Sequence, residues 1–241
     1  MSAESELWAF VLLKNNSFDF FALAELLKRD WGISCTPKDG RLLFVFGGKK
    51  AGVMLLSAPI PDQEVERNYE LMAIQQENLL KAIQESPAHL AVTVMGSDSL
   101  ALKRFLSQIL ASCCGVADAL AVYHFPNVFA AAFYRESFLS EPESFPVLLW
   151  VYVGITQEEN KHGGYTKGLN HFHHKELELD PVAMSPAEVF DFLLNVAQYL
   201  YDGEAHLQAG QTLEHNQQKY QLALRQGRYL NHEEVVAILQ T

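Results

Sequence analysis

Basic residues are in short supply in this sequence. Lysine and arginine number 18 against 29 aspartate and glutamate, for a formal net charge of -11. The only adjacent lysine pair, Lys49-Lys50, sits in a glycine-rich turn. A nucleic-acid binder needs clustered cations over phosphates, so that class is argued against. Cysteine is scarcer still. Cys35, Cys113 and Cys114 form an odd set without framework spacing, and reduced thiols in a cytoplasmic setting are the expectation. Long apolar runs are absent too. The run Leu7 to Leu13 is too short for a membrane span, and no basic segment precedes it as in a signal peptide. No membrane association is expected.

The familiar catalytic motifs are missing as well. The stretch "GGKKAG" (47–52) lacks the spacing of a phosphate-binding loop, and a hairpin turn explains its glycines. No strand-GxGxxG-helix unit and no G-x-S-x-G elbow occur. Cys114 falls at the end of a predicted helix, where the helix dipole does not favour a thiolate. No cofactor is expected.

What is present is core. Apolar residues make up 49% of 241, enough for one large domain or two small ones. Residues 7–13 read as a buried strand. Ser17 is expected to cap a helix with Phe21, Ala24, Leu27 and Trp31 as its stripe and Gly32 as its close. Runs at 41–46 and 51–57 flank the glycine turn as a hairpin. A helix is expected over 63–84, a strand over 89–96, a helix ending near Gly115, a strand over 118–124 and a short helix after Asn127. The polar, proline-bearing stretch 139–146 marks a boundary. Beyond it come a strand over 147–155, a helix opened by the capping box Ser185–Glu188, and a late strand over 220–224. The pattern predicts an α+β fold. Its sheets are mixed or antiparallel, with helices packed on one face. Two closely associated α+β halves are expected, 1–138 and 147–241, or one continuous domain.

Chemistry concentrates in "GLNHFHHKELELD" (168–180). Residues two apart in an extended chain share a face, so His171 and His173 could hold a divalent ion with Glu204 or His162 as a third ligand. The run "KELELD" favours a strand instead, with Leu177 and Leu179 toward a core and Glu176 and Glu178 in solvent. Unbroken alternation would put the histidines on the leucine face. A bulge near His173-His174 would expose them. His89 and His124 flank core strands, while His206, His215 and His232 are scattered, with no metal-ligand spacing.

Several stretches together carry a family resemblance. "APIP" (58–61), "HLAVTVMG" (89–96), "FPVLLWVYVG" (145–154), "YTKGLNHFHHKELEL" (165–179), "AQYLYDG" (197–203) and "LQAGQT" (207–212) resemble a bacterial domain-of-unknown-function family, DUF 4261. The resemblance runs from about Phe10 to about Leu224. It implies an α+β fold without an established catalytic set. It also implies glycine where His173 stands, which fits a bulge. The aspartate of the family's D-G-x-T turn is missing at Ala209, whereas Phe172, Glu176 and Glu178 match.

The first functional expectation is a non-enzymatic interaction protein, in its specific form an immunity protein that neutralises a basic toxin or effector. The resemblance points to such toxin and secretion settings. Glu158, Glu159, Glu176 and Glu178 are the acids expected to meet the basic partner. The alternative is a hydrolase or small-molecule binder with a pocket of His89, His124, Tyr165 and His174. Metal binding at His171 and His173 ranks third.

Overall fold

The computed structural model describes residues 5–73, 75–76, 78–97, 99–140, 145–203, 206–231 and 233–241. Part of the predicted boundary, 141–144, lies outside the described residues, as do Glu204 and His232. The chain is α+β and forms two compact units. One comprises 1–70 with 75–146, the other 71–74 with 147–241.

The first unit runs β1 (Ser5–Leu13), α1 (Phe20–Trp31), β2 (Arg41–Phe46), β3 (Lys49–Leu56), α2 (Glu64–Glu70), α3 (Leu79–Gln84), β4 (Ala88–Gly96), α4 (Ser99–Cys113), β5 (Ala119–His124), β6 (Asn127–Ala130) and α5 (Ala131–Ser140). Its sheet is antiparallel throughout, in the order β2-β3-β4-β1-β5-β6. The hairpin between β2 and β3 turns on Gly47 (φ 54°) and Gly48 (φ 76°), a two-residue loop that side-chain-bearing residues rarely make. The longer helices gather over one face. There Trp31 donates to Ser112 at 2.9 Å, and Arg135 reaches both Asp30 (2.9 Å) and the Ala111 carbonyl (2.6 Å). The short α2 and α3 cover one end of the opposite face, where the Tyr123 hydroxyl donates to Glu64 at 2.5 Å.

Four local expectations are corrected in this unit. Asp19 caps α1 in place of Ser17, its carboxylate accepting from the amides of Phe21 (3.0 Å) and Ala22 (2.9 Å). The buried stripe is Phe20, Leu23 and Leu27, and Phe21 is exposed. Both aromatics fit a helical repeat, and only packing against the neighbouring elements chooses between them. The helix expected over 63–84 is two helices, α2 and α3, with Asn78 at φ 64° just before the second. After Asn127, β6 precedes the helix, because the chain first returns along β5.

The second unit runs β7 (Tyr152–Glu158), β8 (Lys161–Lys167), β9 (Leu177–Val182), α6 (Pro186–Gly203), β10 (Thr212–His215), β11 (Gln218–Gln226) and β12 (Glu234–Gln240). The sheet order is β10-β11-β12-β9-β8-β7, antiparallel except for the parallel pair β9/β12. The strand expected from 147 begins at 152, because Val147–Leu149 wind into a buried 3-10 turn. The capping box holds: the Ser185 amide donates to Glu188 at 2.7 Å and the Glu188 amide to the Ser185 hydroxyl at 3.3 Å. These bonds keep the Glu188 carboxyl below its ordinary range. α6 lies against β7, β8 and β9 over Gly164. A side chain at Gly164 would begin 2.9 Å from Leu193 and 3.0 Å from Val189, so the glycine sets how closely helix and sheet approach.

The N-cap assignment separates two neighbouring residues by experiment. Asp19→Ala is expected to cost the first unit about 1 kcal/mol, and Ser17→Ala less than about 0.5 kcal/mol. Urea unfolding followed by tryptophan fluorescence reads the difference.

Candidate functional site

The site is built on β9. Its register places Leu179 opposite Gly164, on the face under α6, so the leucines lie where alternation puts them. The acids take the other face, as expected, but that face is not wet. Glu176 is 3% exposed and Glu178 is 0% exposed, which overturns their assignment to solvent. The cause is cover from elsewhere in the chain. The turn at 168–172 folds over one carboxylate and the loop at 227–231 over the other.

Each carboxylate is bound by backbone donors. Glu176 accepts from the Thr166 hydroxyl (2.8 Å) and from the amides of Gly168 (2.8 Å), Leu169 (3.2 Å) and Asn170 (3.2 Å). Glu178 accepts from the amides of Arg228 and Tyr229, both at 3.0 Å, and from the Arg225 guanidinium at 3.3 Å. A buried charge is tolerated only when so satisfied. Gly227 makes room for the second clamp, since a Cβ there would begin 3.1 Å from the Glu178 carboxylate. Neither acid can reach a partner. Of the other two nominated acids, Glu158 already accepts from Arg228 (3.0 Å) and from the Tyr229 hydroxyl (3.1 Å). Glu159 is exposed in the turn between β7 and β8, at φ 54°. The four do not make one acidic surface.

The first clamp shapes the histidine segment. Leu169–Phe172 form a 3-10 turn, and His173 closes it in the left-handed region at φ 65°. That is the conformation a glycine would favour, as the family resemblance implied, but it ends a helical turn instead of a strand bulge. The extended geometry that would pair His171 with His173 is therefore absent, which corrects the basis of that metal site. His162, one suggested third ligand, bonds its Nδ1 to the Met184 carbonyl at 2.7 Å. Among the described residues, no group of three or more His, Cys, Asp or Glu is placed to hold a metal ion.

His174 does meet another imidazole. Its ring lies 5.5 Å from that of His206, which follows the end of α6. With His173 and Lys175 the two rings line a surface cleft of about 230 Å³ over an apolar floor of Leu177, Leu200 and Val236. Burial and the neighbouring imidazoles His206 and His173 push the His174 pKa down, partly opposed by a hydrogen bond to the Leu200 backbone. Lys175 is ion-paired with Glu234. The other residues of the expected pocket stand apart from this cleft in role. His89 and His124 belong to the first unit. His89 is buried, bonds its Nδ1 to the Ala58 carbonyl at 2.7 Å and packs edge-on against Phe10 at 5.5 Å, so it serves the core. His124 ends β5 opposite Asn127. Tyr165 lies in β8 of the second unit, stacked on Tyr229 at 5.7 Å. Neither unit gathers these four residues into one pocket. His206 was the residue that sequence reasoning passed over, since nothing local shows where the end of α6 lands.

The model of a family described as a domain of unknown function (DUF4261) matches residues 165–239. This stretch is similar to the DUF4261 family. The DUF4261 match takes in both clamped carboxylates, the histidine turn, α6 and the sheet from β10 through most of β12. It does not extend over the first unit, so the expected span from Phe10 to Leu224 is corrected to this C-terminal part. No curated protein and no solved structure matches the chain. Among the described residues, no helix is long and apolar enough to cross a membrane.

Two outcomes follow for the second unit. Glu176→Ala strands three amides and a hydroxyl, and is expected to destabilise the second unit by about 3 kcal/mol or more. Faster hydrogen exchange at Gly168, Leu169 and Asn170 should accompany the lower urea midpoint. His174 gives a pH dependence. Its folded pKa is depressed, so the unfolded chain takes up this proton at the higher pH. Its stabilising contribution is complete above the ordinary imidazole pKa of about 6.5 and is lost as pH falls through and below that value. His174→Asn should flatten the decline of melting temperature between about pH 7.5 and pH 5.5.

Proposed function

We propose that this chain acts by binding a protein partner, without catalysis, and that the partner docks on the open end of the first sheet. The observation that carries this reading is the cluster of large apolar side chains exposed there. Trp8 is 51% exposed, Leu43 67%, Val45 68% and Met54 45%. The strand register puts them on one face. Leu43, Gly52, Thr93 and Trp8 form one cross-strand row. Val45, Lys50, Met95 and Glu6 form the row on one side of it, and Arg41, Met54, Ala91 and Phe10 the row on the other. Over Gly52 the Leu43 and Thr93 side chains close in, each 3.2 Å from where a Cβ would stand. Contiguous exposed apolar surface with a charged rim is the signature of an interaction site.

The partner is a basic protein. A net charge of -11 steers such a partner toward the chain, and the apolar rows hold it once it arrives. The specific form of this reading is an immunity-type inhibitor of a basic toxin or effector in the cytoplasm. Cys35, Cys113 and Cys114 are all free thiols, in keeping with a reducing compartment. Glu176 and Glu178 take no part, since both are internal.

A photo-crosslinking side chain at Val45, introduced in the native host, tests this reading. One adduct of 1:1 stoichiometry with a basic protein is expected, and Leu43→Glu with Met54→Glu should reduce that complex at least about tenfold. Both side chains are exposed, so the pair leaves the core intact. An adduct with a second copy of this chain, no adduct at all, or a complex indifferent to the double substitution would overturn the proposal.

A further inference from the structure

The cleft of the second unit has, among the described residues, no carboxylate in its lining. Acids outnumber bases by 29 to 18 overall, yet the ionisable side chains lining this cleft are His173, His174, Lys175 and His206. The nearby Glu234 is taken up by Lys175. Beneath the imidazoles the lining turns apolar, with Leu177, Leu200 and Val236.

We propose that this cleft binds a small organic carboxylate, its charged end at His174 and His206 and its apolar body on Leu177, Leu200 and Val236. Each part of the lining selects against a different ligand. The volume of about 230 Å³ exceeds what a bare ion fills and falls short of the roughly 300–1,000 Å³ of pockets for larger ligands. A neutral apolar molecule would offer nothing to the imidazole nitrogens beyond the one His174 bond to the Leu200 backbone. A metal ion would need a third donor, and no such group exists among the described residues. A carboxylate accepts N–H bonds from imidazole or imidazolium and relieves the crowding of two like bases 5.5 Å apart. The site is also set in advance. Glu176 fixes the turn that carries His173 and His174, so little ordering remains to be done on binding. This site lies wholly within the second unit and does not depend on the docking face of the first.

Amide NMR titration with three probes decides the matter: benzoate, its neutral analogue benzamide, and inorganic phosphate. Benzoate is expected to shift Leu177, Leu200 and Val236 and to saturate at or below about 1 mM. Benzamide and phosphate should each bind at least about tenfold more weakly, the first for want of charge and the second for want of an apolar body. His174→Asn with His206→Asn should weaken benzoate at least about tenfold. If the double variant loses its native spectrum, His206→Asn alone is read, since that side chain is exposed. Absence of saturation by about 10 mM benzoate, equal binding of either comparison probe, or unchanged affinity in the variant would overturn the proposal.

Discussion

The second unit depends on two carboxylates that have left water. Glu176, just before β9, and Glu178, within it, share one face, and each is surrounded by amides from a segment outside the strands. Desolvating a carboxylate is expensive, and the cost is offset only because several donors converge on each one. The relation works in both directions. The acids are kept internal by the loops, and the loops are kept in shape by the acids. Gly168, at φ 122°, shows how tight the first of these closures is. A side chain there would begin 2.5 Å from the Trp150 carbonyl oxygen. The histidine turn inherits its position from this arrangement.

Much of the local structure could be read from neighbouring residues. Gly47-Gly48 announce a tight hairpin, Ser185 and Glu188 announce a helix start, and Gly32 announces a helix end. The alternation in "KELELD" correctly divided leucines from glutamates. What alternation cannot say is whether the second face of a strand meets water or more protein. The donors that enclose Glu178 come from Arg228 and Tyr229, about fifty positions away, and nothing near Glu178 signals them. The same limit hid His206 and β12, whose places are set by how α6 and the late hairpin pack. The cap of α1 failed for a smaller reason. Ser17 and Asp19 are both good caps, and only the exact start of the helix chooses between them.

The two units offer surfaces of opposite kinds. The first sheet presents a broad apolar face around Gly52, suited to a macromolecule. The second unit presents a narrow cleft walled by imidazoles over an apolar floor. The DUF4261 match covers most of the unit with the cleft, and the apolar face belongs to a part of the chain outside the match.

The strand order of the second sheet has a consequence for synthesis of the chain. β12 sits between β9 and β11, so this sheet lacks a central strand until residue 240 has left the ribosome, whereas the first sheet can close once β6 has emerged. During that interval β9 has an open edge of leucines and acids. Glu178 has as yet no Arg228 or Tyr229 amide to accept from, and it remains hydrated. The same charge that is later enclosed then acts as a gatekeeper, keeping a half-made sheet from pairing with another nascent chain.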